Sequence, residues 1–235
     1  MKYNRYADML RGFLSDAGAL ISAQRGRRGA VRGALLLLAV GALGLQSGVC
    51  ANPLLLAPTG TTLSTGQFRL EAAQSPGGRS GRYLWFAAGF MQFEASVIST
   101  HNVVGRSENI LGAQWCFLPE TFITPAVSFG ATDITSQTKE GVAGYFAVTK
   151  HVSTEGVVPV LKEFTATLGL GVGGIRGPFI GFEARFPGGF FVQGEHDSRN
   201  ANGAVGWQPI SALRFKAYSI RHDTFFGVEL SPSLF

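Results

Sequence analysis

From residue 65 to residue 235 apolar and polar positions alternate in short blocks separated by turns. Phe68, Leu70 and Ala72 interleave with Gln67, Arg69 and Glu71, and Phe93, Ala95 and Val97 interleave with Gln92, Glu94 and Ser96. Phe164, Ala166, Leu168, Leu170 and Val172 interleave with Thr165, Thr167, Gly169, Gly171 and Gly173. A period of two sends alternate side chains to opposite faces of a strand. The pattern predicts twelve strands at 66–73, 81–88, 91–100, 109–118, 122–131, 141–152, 163–173, 178–186, 190–197, 203–208, 212–222 and 224–231, with ten the alternative count. Many connections are short, as in hairpins, and Pro187-Gly188-Gly189 and the run from Ser198 to Gly203 are strong turn signals. Only 157–163 is ambiguous, and no stretch after residue 60 has helical period. The implied class is all-β: an antiparallel, up-and-down transmembrane β-barrel with its apolar phase toward lipid.

Charge sharpens this picture because it keeps to one phase. Arg69, Glu71, Glu94, Glu183, Arg185, Glu195, Asp197, Arg214, Lys216 and Glu229 all oppose the apolar set. An Arg or Lys facing lipid at mid-bilayer costs roughly 2–4 kcal/mol, so consistent phase points inward to a lumen. Mixed signs predict a salt-bridge network filling a narrow interior rather than a charge-selective open pore. The lumen-facing polar candidates are Arg69, Glu71, Glu94, Glu183, Arg185, Glu195, Asp197, Arg214 and Lys216. Glycine shares that phase at Gly112, Gly130, Gly169, Gly171 and Gly181, which leaves room for larger inward neighbours. Tyr83, Trp85, Trp115, Trp207, Tyr218 and Phe226 are candidates for aromatic girdles at the membrane interfaces.

The first fifty residues differ. A positive stretch (Arg25, Arg27, Arg28, Arg32), an apolar run over 34–45 and small residues at Val49-Cys50-Ala51 follow the order of a secretory signal peptide. The apolar run is too short to span as a helix. The expected division is a signal peptide over 1–51, with Val31 an alternative start, a lead-in over 52–65 and a barrel over 66–235. Without 1–51, basic and acidic residues balance at 13 each, so the excess of positive charge belongs to the targeting segment and argues against nucleic-acid binding. Cys50 and Cys116 are the only cysteines. Cleavage after Ala51 leaves Cys116 unable to form an intrachain disulfide. Cys50 stands in a weak match to a lipidation site, preceded by Ser47-Gly48-Val49.

Catalytic chemistry finds little support. The glycine-rich run at 169–174 resembles a phosphate loop, but a turn at Ile175-Arg176-Gly177-Pro178 follows where a helix is required. His101, His151, His196 and His222 form no metal-ligand spacing with one another or with cysteine. Glu195-His196-Asp197-Ser198 gathers acid, base and hydroxyl, yet strand neighbours point to opposite faces, and no serine sits in a nucleophile elbow. Glu195 and Asp197 share a face and are candidates to hold a cation or a sugar hydroxyl; a lumen salt bridge to Arg214 or Lys216 is the favoured expectation. No catalytic, cofactor or metal site is predicted. The chain ends on Phe235, an aromatic of the kind that barrel-assembly machinery reads, after the alternating Phe226, Val228 and Leu230.

Two regions resemble the YjbH-like outer-membrane proteins. Pro58-Thr59-Gly60 followed by Gly66-Gln67-Phe68-Arg69-Leu70 is similar to the family's "P-T-x … G-x-(F/L)-x-(V/L)" opening. Phe179-Ile180-Gly181-Phe182-Glu183, Pro187-Gly188-Gly189, Gly194-Glu195-His196-Asp197, Asn202-Gly203-Ala204-Val205-Gly206-Trp207 and Ala217-Tyr218 are similar to its "G-G-I-E … P-G-L … E-Y-D … N-x-G-L-x-Y … A-x-Y" strands, with His196 where the family has Tyr. The resemblance implies a non-enzymatic role in exopolysaccharide production or export, without supplying site residues. Sec-type export to the outer membrane, contact with its lipid and its barrel-assembly machinery, polysaccharide or export proteins as partners, and a monomeric state are the corresponding expectations. The rival expectations are a small porin-like channel, a membrane-bound hydrolase and a soluble β-sandwich.

Overall fold

The computed structural model describes residues 56–76, 81–103, 106–154, 157–221 and 223–232. The expected signal peptide, Val31, Cys50, His222 and Phe235 lie outside them. Twelve strands form one closed barrel: β1 (Phe68–Gln74), β2 (Arg82–Phe90), β3 (Phe93–Val103), β4 (Arg106–Leu118), β5 (Ala126–Thr132), β6 (Ala143–Ser153), β7 (Glu163–Gly173), β8 (Gly177–Arg185), β9 (Phe190–His196), β10 (Ala201–Ile210), β11 (Leu213–Ile220) and β12 (Asp223–Leu230). Each strand pairs antiparallel with its sequence neighbours, and β1 closes on β12 with Leu70 opposite Leu230. Closure removes the free strand edges that a β-sandwich would keep. The single helical element among the described residues is the 3₁₀ turn Pro187–Gly189 between β8 and β9.

Alternation is what builds the two faces. On β7, Thr165, Thr167 and Gly169 are buried inside, while Leu168 at 60% and Val172 at 69% exposure point outward. The same partition holds on β2, where Leu84 and Phe86 face out and Tyr83, Trp85 and Ala87 face in. Glycine on the inner phase makes space: a methyl group at Gly169 would fall 2.1 Å from the Phe179 ring, which is itself buried.

The differences from the sequence reading have local causes. β5 begins at Ala126, not residue 122, because Thr121 and Thr124 close a turn that leaves Phe122 and Ile123 exposed in the loop. β10 runs longer than expected, and its register shifts between Trp207 and Ile210, where Pro209 withholds a ladder donor. Asp197 lies one residue past β9, half-buried, with Oδ2 3.4 Å from Nδ2 of the inner-facing Asn202. It accepts hydrogen bonds from the Arg199 and Asn200 N–H groups and so fixes the β9–β10 turn. Of the expected girdle aromatics, Trp115, Trp207 and Phe226 face outward, but Tyr83, Trp85 and Tyr218 are buried inside. Their phase matches that of Arg69 and Lys216, which lie over the Trp85 and Tyr218 rings at 3.9 and 5.7 Å.

The lead-in occupies an unexpected place. Residues 56–65 run through the lumen. They enter beside Glu195, near the mouth formed by the β9–β10 turn, and leave beside Glu94, at the opposite mouth where β1 begins. The chain then reverses at Gly66 (φ 77°), with the Gln67 N–H bonded to the Ser64 carbonyl, and continues into β1.

Candidate functional site

Inside the barrel, strand geometry sorts the polar side chains into three groups. The first lies on the closing seam. Arg69 Nη2 is 2.8 Å from Glu71 Oε2, and Arg69 Nε is 3.6 Å from Glu229 Oε2. Lys216 Nζ, from β11, donates to Glu71 Oε2 at 2.7 Å and to Glu229 Oε2 at 2.8 Å. The Arg69 guanidinium also lies 3.9 Å over the Trp85 ring, a favourable placement for a desolvated cation. All four charged side chains are 2% exposed or less.

The second group centres on Glu183. Its Oε1 and Oε2 accept the two ends of the Arg214 guanidinium at 3.0 and 3.1 Å, a forked pairing that fixes orientation as well as charge. Arg185 Nε donates to Glu183 at 2.5 Å and Arg185 Nη1 to Glu163 at 3.2 Å, while Gln193 adds a bond to Glu183 Oε2 at 2.6 Å. Both groups pair two cations with two carboxylates, so they are balanced by strand residues alone.

The third group holds the lead-in. Glu195 accepts the Leu56 N–H at 3.0 Å, the Ala57 N–H at 3.0 Å and Asn202 Nδ2 at 2.8 Å. Glu94 accepts the Leu63 N–H at 2.9 Å. Gln114 Nε2 donates to the carbonyls of Thr59 and Thr61, both at 2.8 Å, and the Tyr145 hydroxyl orients the other end of that amide at 2.9 Å. Ser128 donates to the Thr59 carbonyl, and the Gly60 N–H donates to Thr149. The fit is close at two glycines. A Cβ on Gly60 would lie 2.6 Å from Ala126 O and Thr149 N, and one on Gly89 would lie 2.2 Å from Leu63 O. Beside the segment remains a cavity of about 60 Å³, lined among others by Pro58, Trp85, Glu94, Gln114 and Tyr145. That volume has room for water against its polar walls.

Eight of the nine lumen candidates therefore sit on inner-phase strand positions: Arg69, Glu71, Glu94, Glu183, Glu195, Arg214 and Lys216 fully buried, and Arg185 half-buried at the end of β8. Asp197 is the exception, in its turn. The expected partners of Glu195 and Asp197 are engaged elsewhere, Arg214 with Glu183 and Lys216 with Glu71 and Glu229. Glu195 binds backbone amides of the lead-in. The neutral inner residues Gln114, Ser128, Thr149 and Asn202 were legible by the same phase as the charges. The signal for the lead-in was weaker: 56–65 carries no charge and no strand alternation.

His196 is exposed while Glu195 is buried, so the acid–base–hydroxyl run does not converge. Among the described residues no group of three or more His, Cys, Asp and Glu side chains is placed to hold a metal. Cys116 is buried and unpaired with another cysteine. Between β4 and β5, outside the strands, Glu120 takes the His151 N–H at 2.8 Å, His151 Nδ1 at 2.5 Å and Lys150 Nζ at 3.1 Å. Partial burial pushes the Glu120 carboxyl up, but these hydrogen bonds outweigh it and hold the group below the usual carboxylate range.

No family model and no curated protein matches the chain.

Proposed function

We propose that the chain is an outer-membrane barrel with a filled lumen, which acts without catalysis as a structural or accessory component of exopolysaccharide production or export. The observation that carries the membrane reading is the two-sided partition around a closed ring. Leucine, valine and phenylalanine dominate the outer phase, while the buried charged and amide side chains of the strands face inward, and Gln74, Arg82 and Lys150 reach the outer phase only toward strand ends. Water outside such a barrel would meet an apolar surface far larger than soluble monomers tolerate. Lipid is its natural solvent, reached by export and inserted by barrel-assembly machinery. The filled interior supports a passive role, with loops and mouths offered to partners or glycan. The polysaccharide assignment rests on the resemblance of 58–70 and 179–218 to YjbH-like proteins.

Two measurements test these layers separately. Cell fractionation with gel mobility before and after heating is expected to place the protein in the outer membrane as a heat-modifiable species; recovery as a freely soluble periplasmic protein overturns the barrel's location. Cells lacking the protein are expected to secrete less polysaccharide. Unchanged polysaccharide yield and composition would remove that role while leaving the barrel intact.

A further inference from the structure

We propose that residues 56–65 form a displaceable plug, and that their withdrawal converts the filled barrel into a narrow, cation-preferring conduit. The proposal rests on the transmembrane reading above but adds an activity to it. The plug is uncharged, and the two ion-pair networks of the wall do not depend on it for balance. Arg69, Glu71, Lys216 and Glu229 close on one another, as do Glu183, Arg185, Arg214 and Glu163. Withdrawal therefore leaves both networks whole.

The plug backbone is hydrogen-bonded to five wall side chains, Glu195, Glu94, Gln114, Ser128 and Thr149, and Leu56, Ala57 and Leu63 pack against the inner hydrophobic clusters. Each such bond is exchanged for one with water on release. Only two apolar side chains of the segment, Ala57 and Leu63, are fully buried. The turn at Ser64–Gln67 supplies a pivot at the mouth where β1 begins, and Glu195 forms the latch near the other mouth. Removing one irregular length of chain vacates a track similar to the ~5 by ~10 Å section that a chain occupies in a packed sheet. A partly hydrated monovalent ion fits that section. Along it, Glu94 and Glu195 lose plug N–H donors, and water-filled carboxylate sites favour cations.

The test uses the full chain in planar bilayers under a potassium chloride gradient. Wild type is compared with Gly60→Val, whose side chain collides with the β5 and β6 backbone, and with Glu195→Ala, which opens the latch without adding an atom. Thr59→Cys reports plug position through a water-soluble maleimide, with Cys50 and Cys116 changed to Ser. The wild type is expected to be silent and Thr59→Cys protected. Both variants are expected to give discrete current steps, reversal potentials shifted toward the potassium equilibrium value, and labelling of Thr59→Cys. Silent variants overturn the proposal, whether labelled (no path opens) or protected (the plug is fixed). So does a shift toward the chloride value. Failure of both variants to give a heat-modifiable barrel makes the plug an obligatory part of the fold and overturns the proposal too. Steady wild-type conductance with Thr59→Cys protected sinks the filled-lumen reading as well; the other adverse outcomes leave that reading standing.

Discussion

Glu71 and Glu229 stand directly opposite one another where β1 closes on β12. Like charges in that register repel, and both carboxylates are buried. Lys216 resolves the conflict by placing its ammonium 2.7 Å from one and 2.8 Å from the other. The barrel is thus sealed by a cation from the third strand of the seam. Arg69 adds a second positive group on the same pair.

Lys216→Met should therefore weaken the seam more than an ordinary surface substitution. It keeps most of the side-chain volume but leaves two buried carboxylates with Arg69 as the remaining cation. Breaking a buried ion pair by removing one partner costs about 3–5 kcal/mol. The expected result is a lower urea midpoint in lipid or detergent, partly restored by adding Glu71→Gln. A Lys216→Met barrel as stable as wild type would show that the seam does not need its bridging charge.

A second expectation concerns packing of the inner wall. Gly169→Ala puts a methyl group 2.1 Å from Cζ of Phe179, on adjacent strands β7 and β8 where Gly169 faces Phe179 in the pairing register. Overpacking of this kind costs about 1–3 kcal/mol. Phe179→Leu in the same chain should recover only part of the loss, because it removes the contact with the far edge of the ring but leaves the methyl group 2.5 Å from the Phe146 carbonyl oxygen. Comparison of thermal midpoints for the single and double variants measures the coupling.

The acid response of one loop follows from Glu120. Its folded carboxyl titrates below the unfolded value, so its stabilisation is fully present above the unfolded carboxylate range and is lost as pH falls through the folded value. The difference in urea midpoint between wild type and Glu120→Gln should shrink as pH falls below about 4.3. The pairing is partly exposed, so its size should stay near about 1 kcal/mol. A difference that grew on acidification would reverse the assignment.

Strand positions were readable from residue order because one rule, the separation of polar from apolar side chains on the two faces, acts on strand after strand. Glu163 to Gly173 appears with its expected bounds. Residue type pointed Trp85 and Tyr218 to an interfacial girdle, but their phase, shared with Ala87 and Lys216, puts them inside. Phe122 and Ile123 misled for the opposite reason: two apolar residues before Pro125 look like strand, and the Thr121–Thr124 turn excludes them. The plug was least legible. Its anchoring comes from backbone N–H and C=O groups, which every residue carries, so its binding leaves almost no mark on composition. Gly60 is the exception, required by close approach to Ala126 and Thr149.

Leu168 tests whether lipid surrounds the barrel. It lies at the middle of β7 on the outer face, 60% exposed, between Val148 and Ile180 on the neighbouring strands. In water, exchanging an exposed leucine for arginine changes stability by about 0.5 kcal/mol at most. At the midplane of a bilayer the same exchange costs roughly 2–4 kcal/mol. Leu168→Arg should accordingly lower the unfolding free energy in lipid vesicles by the larger amount, while arginine nearer a mouth, at Phe164 of the same strand and face, should cost less. The contrast between depths matters more than either value, because a general packing defect would not fade toward the strand end. Equal small effects at both positions would place the outer face in water.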